Sequence, residues 1–227
     1  MSVLSPTSFA DSAGGTPPRV GGAIACDEAN FPVLLRRYRL GLALFVLAVA
    51  MLFVGFGSAY VVRRGIPTYD ATAGAYSASW EPLQLPLGLL LLNTCFLILA
   101  SGAIEVVRRR TPAWENGKDE IGCGVAYWLT ASLLLGAGFL VGQAIAWRSL
   151  TANGQRLTTG ARTAFFYVLT GAHAVHALVG ILVLAVLAVF YGRFSPMRRY
   201  LALDLSAWYL HAMTLLWICL LGFLLYV

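Results

Sequence analysis

The stretch Thr163–Tyr191, TAFFYVLTGAHAVHALVGILVLAVLAVFY, decides the class of this protein: it contains no Asp, Glu, Lys or Arg. It exceeds the roughly 20 apolar residues that a helix needs to cross a bilayer. Outward from it, four more runs read the same way: Leu40–Val62, Leu83–Val107, Ile121–Trp147 and Leu205–Val227. Each is apolar around most of its circumference, as helices facing lipid or one another must be. The chain of 227 residues is 59% hydrophobic and only 11% charged, with a mean hydropathy of +0.76. That excludes an ordinary soluble domain, in which about a quarter of residues carry charge. The expected fold is all-α, a polytopic bundle of five transmembrane helices.

The ends and connections support this division, with a polar and aromatic loop containing Tyr69, Tyr76 and Trp80 after the first run and a turn-rich loop, Thr111–Glu120, after the second. Residues 1 to about 30 are rich in Ser, Thr, Gly and Pro, bury too little apolar surface to offset ordering entropy, and read as a flexible cytoplasmic tail. The first apolar run begins only near Leu40, so it reads as a retained anchor rather than a secretory signal peptide. Residues 31–227 form the membrane domain. Lys and Arg number eleven on the side of the N-terminus and the second and fourth loops, against five (Arg63, Arg64, Arg148, Arg156 and Arg162) on the other. By the positive-inside rule the N-terminus is cytoplasmic and the C-terminus periplasmic. The net charge of +6 then reflects cytoplasmic arginines near anionic lipid, and no nucleic acid is expected as a partner. Cys26, Cys95, Cys123 and Cys219 show no spacing suited to zinc or haem attachment and read as small packing residues.

Ionisable groups inside a membrane are functional candidates. Glu105 lies three residues before Arg108 and four before Arg109, on one helical face, and reads first as a paired interfacial carboxylate, with a proton relay as the sharper alternative. Asp204, expected at the start of the last span, reads first as a helix cap. His173 and His176 share a face of the fourth span, and His211 lies in the fifth. Imidazole is a haem and copper ligand, so three histidines in a bundle raise a metal site or a haem-binding anchor. Depth weighs against a shared site, because His176 lies about 20 Å from the cytoplasmic end of its span and His211 only about 10 Å into its own. Hydrogen-bonded structural histidines are the plainer reading. Asn93-Thr94, Ser101-Gly102, Gln143, Thr170-Gly171 and Thr214 read as small and polar residues at helix interfaces. No mid-membrane acid and no repeated broken-helix pair points to a transporter, and no phosphate loop or catalytic triad appears.

These residues resemble subunit III of the haem-copper oxidases (the cytochrome c oxidase subunit III family) in its five-helix bacterial form. The segment Phe165–Gly180 is similar to the family's aromatic pair followed by TG-x-H-x-x-H-x-x-x-G, here Thr170, Gly171, His173, His176 and Gly180. Leu92-Asn93-Thr94 with Ala100-Ser101-Gly102, then Gln143-Ala144, then Asp204 with Ala207-Trp208-Tyr209-Leu210-His211 and Trp217, resemble further family elements in order. The sequence departs from the family where a Ser-Glu pair is replaced by Ala48-Val49, a Glu by Ala146, and Trp and Asp by Leu210 and Thr214. These losses weigh against a direct proton-antenna role and leave a scaffolding role untouched.

The resemblance implies a non-catalytic subunit of a respiratory terminal oxidase that reduces oxygen and translocates protons. Its partners would be subunit I chiefly, subunit II, membrane lipids and, through them, a larger respiratory supercomplex. No catalytic residue and no metal ligand is expected on this chain. Haem and copper are expected in the partner subunits, and phospholipid is held between the helices. Arg193 resembles the family's position for a lipid phosphate, where a guanidinium can pair with two phosphate oxygens. The implied location is the bacterial inner membrane. The alternatives are the equivalent subunit of a quinol oxidase or nitric-oxide reductase, and a haem-binding anchor using His173, His176 and His211.

Overall fold

The computed structural model describes residues 21–70, 74–77, 86–111 and 123–226. Five long helices follow in order: α1 Gly21–Gly65, α2 Leu87–Arg110, α3 Cys123–Ala152, α4 Ala161–Phe190 and α5 Pro196–Tyr226. All five are long and apolar enough to cross a membrane. Between α1 and α2 the strands β1 (Thr68–Asp70) and β2 (Ala75–Ser77) pair antiparallel, with Tyr69 opposite Tyr76, and Gly74 takes a φ of +60° in the turn. The all-helical expectation thus holds for the membrane part, and a short hairpin occupies what reads in sequence as a polar and aromatic loop.

Every helix boundary differs from the apolar run that announces it. The expected span Leu205–Val227 begins instead at Pro196, and Leu83–Val107 becomes Leu87–Arg110. Hydropathy marks where lipid begins, whereas a helix continues for as long as its backbone bonds can be made. Local chemistry sets the actual ends. Pro196 suits a first helical position because its missing N–H would be unpaired there anyway. At the other end of α2, Arg108, Arg109 and Arg110 complement the helix dipole, and the Thr111 backbone N–H closes on the Val107 carbonyl at 2.9 Å. The helix α1 begins at Gly21, inside the stretch read as a tail; residues 1–20 lie outside those described, as does most of the turn-rich loop 111–120. The described residues up to Tyr38 belong to one compact unit and those from Arg39 onward to another.

In that unit α2 packs on α3 and α5, α3 on α4, and α4 on α5, which closes a four-helix ring. Its interior divides into two apolar clusters. One contains Leu90, Leu97, Phe139, Leu150, Phe166 and Trp217, and the other Ile104, Val107, Leu129, Leu184 and Leu203. The remainder of α1 meets the ring through large aromatic rings: Phe45 lies 6.4 Å from Tyr209, Phe53 6.1 Å from His176, and Tyr60 5.5 Å from Phe165 and 5.3 Å from Phe223. The outer faces carry exposed Leu, Val and Ile, among them Leu44, Leu99, Leu134, Val189 and Leu215. An aqueous solvent would penalise such a belt, whereas lipid tails do not, and this is consistent with a membrane helical bundle.

Small residues permit the closest approaches. The Asn93 side-chain oxygen lies where a Cβ on Gly142 would be, and Tyr209 Cε1 is 2.7 Å from the Cβ position of Gly180. Nothing lies within 4 Å of the corresponding position at Gly102. Gly142→Val is therefore expected to destabilise the bundle by about 1–3 kcal/mol, the usual cost of overpacking, whereas Gly102→Val leaves it unchanged or slightly firmer. Thermal denaturation of the detergent-solubilised protein checks the contrast; equal melting temperatures for the two variants would count against the packing described.

Candidate functional site

A chain of charged and polar side chains joins α1, α2 and α5 at the end of the bundle that carries Arg108–Arg110. Asp204 is fully buried, and both of its carboxylate oxygens are occupied. Arg39 donates through Nε to Oδ2 and through Nη2 to Oδ1, each at 2.7 Å, and Arg108 Nη1 reaches Oδ1 at 3.2 Å. Arg108 also forks onto Glu105, with Nε and Nη2 each 2.8 Å from its two oxygens, and Arg109 Nε adds a bond of 2.7 Å. Paired two-point bonds of this kind are the strongest arrangement a guanidinium offers a carboxylate. His211 Nε2 lies 3.3 Å from Glu105 Oε2, and its Nδ1 meets the hydroxyl of Ser101 in a short contact. A neutral imidazole protonated on Nε2 satisfies both neighbours: it donates to Glu105 and accepts from Ser101.

This corrects one reading and completes another. Asp204 is not a helix cap, because α5 begins eight residues earlier at Pro196 and the carboxylate lies in the third turn. A cap needs exposed backbone N–H groups that no longer exist at that position. Glu105 is the paired carboxylate that its i+3 and i+4 arginines suggest, with His211 as a further partner. The pairing of Arg39 with Asp204 is not visible in sequence, since 165 residues separate them. Their one shared signal is that each stands near the same end of an apolar run.

A second polar layer lies deeper, inside the four-helix ring. Asn93 Nδ2 and Gln143 Oε1 are 3.5 Å apart, joining α2 to α3. Trp147 Nε1 donates to Thr170 Oγ1 at 3.1 Å, joining α3 to α4, and Trp217 Nε1 donates to Thr94 Oγ1 at 3.0 Å, joining α5 to α2. Ser132 donates to the Ala100 carbonyl at 2.9 Å, and Tyr209 donates to the His176 carbonyl at 2.8 Å. Small hydroxyls and indole N–H groups thus tie neighbouring helices together, as expected where apolar burial gives helices little reason to associate. Asn93, Thr170 and His173 are wholly buried, and Gln143 and Ser101 nearly so.

The three histidines occupy three different environments. His173 is packed among rings, with Trp217 at 5.0 Å, Phe139 at 5.6 Å and Phe53 at 6.4 Å. His176 donates from Nδ1 to the Ala172 carbonyl of its own helix at 2.7 Å. His211 stands in the charged chain. His173 and His176 share one helix and cannot offer opposed axial ligands, and both His211 nitrogens are engaged, so the arrangement does not suit a bis-histidine haem. Among the described residues, no three His, Cys, Asp or Glu gather as a metal-binding group. Val49 and Ala146, which stand where the family resemblance places carboxylates, are buried and apolar. Trp208 projects outward from α5, half exposed. Arg193 is exposed in the 3₁₀ turn Tyr191–Arg193 after α4, its guanidinium 5.4 Å from the centre of the Phe190 ring.

Comparison with known proteins supports the family that the motifs resemble. The family model described as cytochrome c oxidase subunit III matches residues 27–227. The chain is 30% identical over 213 residues to the cytochrome c oxidase subunit 3 of Thermostichus vulcanus, covering 91% of this chain and 94% of the relative. It is 28% identical over 184 residues to that of Corynebacterium diphtheriae, covering 78% and 82% of the two chains. To that of Gallus gallus it is 28% identical over 189 residues, covering 82% of this chain and 68% of the relative. With five membrane-crossing helices and a match across nearly all of its length, this multi-pass membrane protein belongs to the cytochrome c oxidase subunit III family.

Proposed function

We propose that the chain is the non-catalytic subunit III of a respiratory haem-copper terminal oxidase, in which oxygen reduction is coupled to proton translocation. It packs laterally against subunit I, with subunit II in the same complex, and stabilises subunit I during turnover. Haem and copper belong to those partners, and this chain contributes shape, rigidity and lipid binding. The N-terminus is cytoplasmic, the C-terminus periplasmic, and the membrane is the bacterial inner membrane.

The observation that carries this reading is how the polar groups are used. Glu105, Asp204, Arg39, Arg108, Thr94, Thr170, Trp147 and Trp217 are spent on joining helices, while the outward surface is left apolar. Such a body offers a lipid- and protein-compatible flank. The exposure of Arg193 beside an aromatic ring at the end of α4 supports a contact with a lipid phosphate at the headgroup level.

A mild-detergent pull-down through the N-terminus, followed by a reduced-minus-oxidised spectrum and peptide identification, tests the assignment. Subunit I is expected to co-purify and to keep all haem signal when this chain is stripped away; haem remaining on the isolated chain would replace the proposal with a haem anchor. Within the complex, Asp204→Asn leaves Arg39 and Arg108 without their shared carboxylate. Removing one partner of a buried pair costs up to about 3–5 kcal/mol, reduced here to roughly 1–3 because Arg39 reaches solvent. The expected result is less subunit retained per subunit I and a faster loss of oxidase activity during turnover. Arg193→Ala should lower the phospholipid that co-purifies, read by mass spectrometry of the intact complex, with the protein stoichiometry unchanged.

A further inference from the structure

Four buried polar atoms in the deeper layer have no hydrogen-bond partner: Asn93 Oδ1, Gln143 Nε2, and both Nδ1 and Nε2 of His173. They belong to three helices and to one level of the bundle. Helices α3 and α4 run antiparallel, with Trp147 bonded to Thr170 and the Phe139 ring against His173, so Gln143, midway between the two α3 residues, stands at the level of Thr170 and His173. Asn93 faces Gln143 directly, and its neighbour Thr94 holds Trp217, whose ring lies against His173.

The nearby hydroxyls and indoles cannot donate to Asn93 Oδ1 or to an imidazole nitrogen of His173. Thr94 already donates to the Leu90 carbonyl at 2.9 Å, and Thr170 to the Phe166 carbonyl at 2.7 Å, so neither hydroxyl has a proton left to offer. Both indole N–H groups of the layer are taken by those same two hydroxyls. The aromatic faces around His173 supply packing and no strong donor or acceptor. What remains is complementary: an amide N–H on Gln143, an acceptor oxygen on Asn93, and one donor and one acceptor on a neutral imidazole. Buried groups in that condition are costly when dry and are met in proteins by internal water with two to four partners.

We infer that Asn93, Gln143 and His173 form an internal water site in the centre of the α2–α5 ring. A water molecule accepts from Gln143 Nε2, donates to Asn93 Oδ1, and uses its other proton on an imidazole nitrogen of His173, which links α2, α3 and α4 through one ligand. The site is separate from the charged chain at the end of the bundle, and it does not depend on the oxidase assignment.

A single-particle structure of the purified native membrane assembly, at a resolution that shows ordered water, tests the site. The expected result is a density peak at hydrogen-bonding distance, about 2.7–3.2 Å, from Gln143 Nε2 and from Asn93 Oδ1 or a His173 nitrogen. A layer without a peak, or a Gln143 amide turned to bond the imidazole directly, overturns the inference. In the same assembly carrying Gln143→Leu, the peak should be lost; a peak unchanged in place removes Gln143 from the site. If that variant does not accumulate, the map of the unmodified protein decides alone.

Discussion

A carboxylate wholly withdrawn from solvent has to find its compensation in the protein, and for Asp204 that compensation comes from two other helices. Arg39 on α1 grips both oxygens and Arg108 on α2 shares one of them. Because desolvating a charge costs far more than an exposed ion pair returns, the three helices have little freedom to separate at this level without leaving that charge stranded. The rest of the ionic chain is built outward from this point. Arg108 is held by Glu105, Glu105 is steadied by Arg109 and His211, and His211 is braced on Ser101. The first helix, whose flank meets the ring mostly through aromatic side chains, is thereby also fixed at Arg39.

The inner layer follows a second rule, which is that few hydroxyls have to do several jobs. Thr94 and Thr170 each give their proton to a carbonyl one turn back and receive an indole N–H from a neighbouring helix. A back-bonded hydroxyl of this kind remains a good acceptor, so the same group stays inside its own helix and still ties two helices together. Where water is scarce, that economy is worth more than in a soluble protein, because an unmade bond has no solvent to replace it.

The number of spans, their order and the family were legible in the sequence, since long uncharged runs and four ordered motifs are local features. Glu105 was legible for the same reason, with its arginines one turn away. Asp204 was not. Its apolar run starts at Leu205, so hydropathy placed it at a helix end, whereas Pro196 starts the helix more than two turns earlier and carries the residue into the interior. The Arg39–Asp204, Thr94–Trp217 and Ser101–His211 pairs were equally invisible, because each joins helices more than a hundred residues apart in sequence and is created only by the ring of α2–α5 and the approach of α1. The hairpin Thr68–Ser77 was missed for a different reason: two three-residue strands carry too short an alternation to stand out from an aromatic loop.

The close seating of Tyr209 over Gly180 has a historical corollary. The ring occupies the space that any side chain at position 180 would need, and the same tyrosine bonds the His176 carbonyl one turn away. The two positions are therefore not independent in descent. A larger residue at 180 becomes acceptable only after the ring at 209 has been lost or moved, while loss of the ring with glycine still in place leaves a cavity rather than a clash. What position 180 can accept is thus conditional on what stands at 209, which makes the order of any two changes at this pair matter.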